Sequence, residues 1–223
     1  MDTSTALSST LADLAVTEPA AARVFYRHGL DFCCGGRRSL ADACGARGLD
    51  AATVLADLAA EAPAAADETR WDRQPLPALV DHIVTRYHRP LQRMLPELLA
   101  LATKVEARHG DKPACPRGLT AILRDMHAEV EDHLAKEEQI LFPMIVSGRG
   151  PSGAGPVQVL EREHDAHGAR LTALRALTSH YTSPEGACVT WRALYLGLRQ
   201  LDQELMDHIH LENNILFPRA LIA

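Results

Sequence analysis

An all-α fold, a four-helix antiparallel bundle preceded by a small helical module, is predicted by three observations. The chain is 47% hydrophobic but only 4% aromatic, so its core must be mostly Leu, Ala, Ile and Val, a composition that favours helices. The segment His133-Leu134-Ala135-Lys136-Glu137-Glu138-Gln139-Ile140-Leu141-Phe142-Pro143 returns 75 residues later as His208-Ile209-His210-Leu211-Glu212-Asn213-Asn214-Ile215-Leu216-Phe217-Pro218. Both copies read His-x-x-x-Glu-x-x-Ile-Leu-Phe-Pro. Finally, a lone histidine precedes each copy at nearly the same interval, His88 by 45 residues and His164 by 44. Residues four apart on a helix share a face, so each copy can aim an imidazole and a carboxylate at one point. Residues 75–223 therefore read as two helix pairs, each offering one lone His and one His-x-x-x-Glu.

Taken in order, residues 1–62 form the small module. Thr10 can cap a helix opening at Leu11, Gly29 ends the segment around Val24-Phe25-Tyr26, and Ser39 can cap Leu40-Ala41-Asp42. Between them lies Asp31-Phe32-Cys33-Cys34-Gly35-Gly36. Adjacent cysteines close only a strained ring, so Cys33 and Cys34 are expected as thiols. The glycines should leave them accessible, and Arg37 and Arg38 should favour a low-pKa thiolate. The alternative is that they are buried small hydrophobes. Residues 63–74, beginning Pro63-Ala64-Ala65-Ala66-Asp67, read as a linker. Pro75 and Pro77 then open the first bundle helix, which carries His88 and runs to about His109-Gly110; Pro90 and Pro96 lie inside it, and a kink or break is expected just past His88. A second helix spans about 118–146 and should bend at Pro143. The Gly-rich stretch Ser147–Gly155 is the crossing between halves. A third helix starts near Pro156 and ends near Tyr181. Ser183-Pro184 should cap the fourth, which bends at Pro218.

The formal charge of −6 and the lack of a basic cluster disfavour nucleic acid and acidic membrane surfaces as partners. Without a signal peptide or an 18-residue apolar run, a cytoplasmic protein is expected. Five cysteines at irregular spacing make no disulfide framework.

Burying four imidazoles and two carboxylates in an apolar bundle without a cation would cost several kcal/mol per charged group. A metal removes that cost. Six ligands are too many for one tetrahedral zinc, and His-Glu-x-x-His is absent. Two carboxylates from equivalent helices can bridge two ions, and nitrogen–oxygen ligation of this kind suits iron or manganese, with iron the first choice. The expected metal ligands are His88, His133, Glu137, His164, His208 and Glu212. His82, His127 and His210 fall on the wrong faces. His167, three residues after His164, is left out because the repeated set is complete without it. Glu129 and Glu204, one turn before the ligand histidines, are candidates for hydrogen bonding to them or for proton delivery.

With these residues in place, the chain resembles the repair-of-iron-centres family, hemerythrin-like di-iron proteins linked to iron–sulfur cluster repair. The resemblance covers nearly the whole chain. It rests on Asp31-Phe32-Cys33-Cys34-Gly35-Gly36, Arg86-Tyr87-His88, Lys136 to Met144, Glu163-His164-Asp165, and Asp207-His208 followed by Leu211-Glu212-Asn213-Asn214. It implies a hemerythrin-like bundle holding two non-haem iron ions at the same six ligands, with oxo and carboxylate bridges. It further implies damaged iron–sulfur proteins as partners, nitric oxide or oxygen as small ligands, and repair by supplying iron or by reducing nitric oxide. Either a monomer or a homodimer fits. A second reading from another class is reversible binding or sensing of a diatomic gas without turnover.

Overall fold

Capping chemistry sets the first helices. The Asp13 N–H donates to Thr10 Oγ1 at 3.0 Å to open α2 (Leu11–Thr17), and the Asp42 N–H donates to Ser39 Oγ at 3.1 Å to open α4 (Leu40–Arg47). Before and between them lie α1 (Thr3–Ser8) and α3 (Ala21–Arg27), the latter ended by Gly29 at φ 65°. The short α5 (Ala51–Glu61) completes the module. The computed structural model describes residues 2–65 and 68–223; Met1, and Ala66 and Asp67 of the expected linker, lie outside the described residues. No β-strand occurs among the described residues, as the composition requires.

The rest is helical at the expected positions. First come α6 (Leu76–Ile83) and α7 (Arg89–His109), followed by α8 (Leu119–Lys136) and α9 (Phe142–Val146). The second half holds α10 (Ala154–Leu177), α11 (Val189–Leu211) and α12 (Phe217–Ala220). The fourth bundle helix starts at Val189 rather than at Ser183-Pro184. A turn intervenes in which the Ala187 N–H donates to Pro184 O at 3.1 Å and Gly186 takes φ 75°, and Cys188 O accepts the first helical bond, from the Arg192 N–H.

The expected proline kinks take a specific form. Val84–His88, Glu137–Leu141 and Glu212–Leu216 are π-helical turns, closed by the N–H of Arg89 on Val84 O, of Phe142 on Glu137 O and of Phe217 on Glu212 O. Each donor is followed by proline: Pro90, Pro143, Pro218. A proline has no N–H for the carbonyl four residues back and its ring collides with it; widening the turn by one residue relieves both problems without breaking the helix. Pro96, inside α7, produces no such break.

By contact the chain divides into two compact units, one running up to Val80 together with Met206–Ala223, the other Asp81–Leu205. In the second unit buried residues recur at three- and four-residue steps. They are Leu91, Leu95, Leu98, Ala102 and Val105 on α7, Leu119, Leu123, Met126, Val130 and Leu134 on α8, and Trp191, Leu194, Leu198, Leu201 and Leu205 on α11. That spacing packs helices as a near-aligned bundle. The start of α7 meets the end of this part of α11, where Arg86 donates to Glu204 at 3.0 Å, and the end of α7 meets its start, where His109 lies 3.2 Å from Cys188 Sγ. The two helices are therefore antiparallel. Arg175 of α10 forks onto Asp202 of α11 at 2.7 and 2.5 Å, pairing a carboxylate that is otherwise sealed from water. In the first unit, α2 packs on the turn Glu212–Leu216, and Arg219 donates to Trp71 O and Gln74 O at 3.0 and 2.7 Å. Trp71 and Gln74, at the end of the expected linker, are thus tied to Arg219.

Candidate metal centre

Within Asp81–Leu205 the structure brings together His88, His133, Glu137 and His164, all buried to 1% exposure or less. Glu137 begins a π turn on one helix. Its Oε2 lies 3.5 Å from His88 Nε2 and its Oε1 3.4 Å from His133 Nε2. His133 Nε2 in turn faces His164 Nε2 at 3.0 Å, and one donor atom each from His133, Glu137 and His164 lie within 4.8 Å of one another. Among the described residues, neither oxygen of this sealed carboxylate has a hydrogen-bond partner.

The outer faces of His88 and His133 explain why their Nε2 atoms point inward. His88 Nδ1–H donates to Glu138 Oε1 at 3.0 Å and His133 Nδ1–H donates to Glu163 Oε2 at 2.9 Å. A carboxylate at Nδ1 fixes that tautomer, leaves the Nε2 lone pair free to ligate and raises its basicity. Burial opposes ionisation of both carboxyls, but hydrogen bonds from Arg89 and His88 hold Glu138 below the usual range, and those from Lys136 and His133 do the same for Glu163. Both are charged where they touch the histidines. The π turn also matters here. Residues five apart on an α-helix diverge by roughly 140°, whereas an i→i−5 bond stacks them, so Phe142 stands over the same face as Glu137 and stacks on His88 at a centroid distance of 5.6 Å.

His208 and Glu212 fall in the other unit, one turn apart and fully buried, with His208 Nε2 2.9 Å from Glu212 Oε1. His210, two residues on, turns to Phe32 at a ring separation of 5.5 Å. Burial pushes its pKa down to about 4 against a hydrogen bond to the Ala15 backbone; this is a core imidazole kept neutral. His167 is buried and stands edge-on to His133 at 5.0 Å, lining the donor set. His82 packs on Tyr87 and His127 lies near Glu131.

Glu129 and Glu204 are engaged elsewhere. Arg170 forks onto Glu129 at 2.6 and 3.2 Å, and Arg86 forks onto Glu204. The carboxylates that touch the imidazoles, Glu138 and Glu163, were missed by sequence reasoning. They sit beside ligand residues in the chain but act on histidines of other helices, and no spacing within one helix encodes that.

Neither Cys33 nor Cys34 is in a disulfide, as expected, but Cys33 is buried and Cys34 half-buried. The expected low-pKa thiolate is not what Cys33 provides: its hydrogen bond with Cys34, burial and the Asp31 charge all push it well above the ordinary range, while Arg37 and Arg38 point into solvent. Asn213 and Asn214, directly after Glu212, donate to Cys33 O and Phe32 O at 3.2 and 2.9 Å.

This donor set fits a cation: a sealed carboxylate with unsatisfied oxygens stands between imidazoles whose lone pairs converge on it. The comparisons agree. The hemerythrin HHE cation binding domain matches residues 79–220, and a domain of unknown function, DUF542, matches 7–62. The iron-sulfur cluster repair protein YtfE of Yersinia pseudotuberculosis serotype O:1b is 49% identical over 214 residues, 96% of this chain and 97% of its own length. The protein of the same name from Yersinia pestis strain Pestoides F is 48% identical over the same shares. No helix among the described residues is long and apolar enough to cross a membrane. With both domain matches and near-full-length identity in hand, the chain belongs to the hemerythrin HHE family, in its iron–sulfur cluster repair branch.

Proposed function

We propose that this protein holds two iron ions through His88, His133, Glu137, His164, His208 and Glu212, both glutamates bridging, and restores damaged iron–sulfur clusters in other proteins by supplying iron. The observation that carries the reading is Glu137, a fully buried carboxylate whose oxygens lie 3.5 and 3.4 Å from the Nε2 atoms of two histidines on different helices. The repeat supports assigning Glu212 the same role, since it occupies the equivalent place after His208. The relatives are iron-sulfur cluster repair proteins by name, which supports repair as the purpose. When bound, iron supplies an exchangeable, redox-active cation in an oxygen- and nitrogen-rich setting. The chain's own part is to orient and to shield. Glu138 and Glu163 lock the imidazole tautomers, and Phe142 covers the ring of His88.

The test is to load the protein with a stable iron isotope and incubate it with an enzyme whose cluster has been damaged by nitric oxide. Recovery of enzyme activity with the label inside the rebuilt cluster is expected. Recovery without label would overturn iron supply and favour nitric oxide reduction, which nitrous oxide release from the reduced protein under anaerobic nitric oxide would register. A stable gas adduct without either outcome would favour the binding or sensing reading.

A further inference from the structure

The first unit gathers the Asp31 carboxylate with the thiols of Cys33 and Cys34. One ligand atom from each lies within 4.8 Å of the others; Cys33 Sγ is 3.4 Å from Asp31 Oδ1 and 3.7 Å from Cys34 Sγ. The turn is built to hold this arrangement. The Cys34 N–H donates to Asp31 Oδ1 at 3.0 Å, folding the carboxylate back over the sulfurs. A Cβ on Gly35 would stand 2.9 Å from Asp31 Oδ2, and one on Gly36 would stand 2.5 Å from Phe32 O, so the carboxylate position depends on Gly35 and the backbone of the turn on Gly36. On the other flank the Asn213 and Asn214 amides pin the backbone at Cys33 and Phe32. Three groups that each carry negative charge when deprotonated are thereby fixed at mutual contact, where a bound cation or bound protons would offset their repulsion.

We propose that Asp31, Cys33 and Cys34 form a second metal site, which takes one thiophilic divalent cation through two sulfurs and a carboxylate oxygen. Sulfur donors select ions of the zinc and iron(II) class over magnesium or calcium. On binding, each thiol gives its proton to solvent as a metal–sulfur bond forms, Asp31 adds a metal–oxygen bond, and no electron is transferred. Asp31 is exposed and Cys34 half-buried, so a fourth coordination position faces solvent, where water or a small thiol completes the shell. That is the form of a site an ion passes through rather than one that keeps it. The site stands whether or not the histidine cluster holds iron, and goes beyond the proposed repair role.

The experiment adds cobalt(II) anaerobically to the full-length metal-free protein and follows the thiolate-to-cobalt charge-transfer band in the near ultraviolet, which histidine and carboxylate ligands do not produce. A band saturating at about one cobalt per chain is expected in the unaltered protein and in His133→Ala/Glu137→Ala, which disables the histidine cluster. Asp31→Asn, Cys34→Ser and Gly35→Ala should each weaken cobalt binding by about tenfold or more, and Cys33→Ser/Cys34→Ser should lose the band. Cys34 is partly exposed, so its serine variant keeps the test valid if the double variant misfolds. Absence of the band in the unaltered protein, its survival in the double serine variant, or its loss in His133→Ala/Glu137→Ala would overturn the proposal. Failure of iron to load the histidine cluster would sink the repair reading and leave this result untouched.

Discussion

Glu137 turns each of its oxygens to a different imidazole, so its removal affects two ligand environments at once. Glu137→Ala or Glu212→Ala is expected to lower iron content more than His88→Ala or His164→Ala, by elemental analysis of the purified variants. Equal or greater loss in the histidine variants would count against bridging. Glu163 acts one step further out: Glu163→Gln removes the charge that fixes His133 while keeping its shape, and should weaken metal binding by about 10- to 100-fold with unchanged helical content. Competition against a chelator reads it. The direct ligand candidates were legible because their spacing repeats within the chain. Glu138 and Glu163 were not, since each reaches a histidine on another helix and leaves no periodic trace. Glu129 and Glu204 show the converse error, for a residue one turn from a ligand had Arg170 or Arg86 waiting for it on a neighbouring helix.

At the scale of elements, the Ile-Leu-Phe-Pro repeat announced a bend, and the structure resolves it into a π turn that begins on the glutamate. The turn was foreseeable only as a distortion, because proline's missing donor says that the ladder fails and not how it is repaired. Deleting Gln139 would return this stretch to α geometry and rotate Phe142 by roughly 100° relative to Glu137. Iron content should collapse while far-ultraviolet circular dichroism stays near that of the unaltered protein; retained iron would mean that the wide turn is incidental. Between α7 and α11 the fit depends on Gly197, where a Cβ would lie 2.6 Å from Leu98 Cδ2. Gly197→Ala should cost about 1–3 kcal/mol through overpacking, read as a lower urea midpoint. An unchanged midpoint would show that Leu98 moves aside freely.

For the molecule as a whole, the all-α class and the order of helices followed from composition, caps and the repeat. The grouping of the chain by contact did not. Sequence reading divides it near residues 63–74, whereas contact groups Met206–Ala223 with the residues up to Val80. Nothing local in the sequence says that Asn213 and Asn214 will serve a backbone turn 180 residues away. The protein as isolated is expected to hold about two iron atoms per chain; one zinc with little iron would refute that. Cys33→Ser/Cys34→Ser should keep this iron, because serine preserves the carbonyls that the asparagine amides grip, and yet lose repair of a damaged iron–sulfur enzyme. Full repair by that variant would return the two cysteines to a packing role.

The asparagine clasp also sets an order of events during synthesis. Phe32 and Cys33 leave the ribosome long before Asn213 and Asn214 exist, and domains ordinarily fold as they emerge. Here α2 lacks the turn Glu212–Leu216 on which it packs, and the turn at Phe32 and Cys33 lacks the asparagine amides, until that segment has been made. A nascent chain halted before Met206 should therefore present Cys33 to an alkylating reagent, and one released after Phe217 should protect it. Burial of the thiol turn would then report that the segment carrying Asn213 and Asn214 has been made.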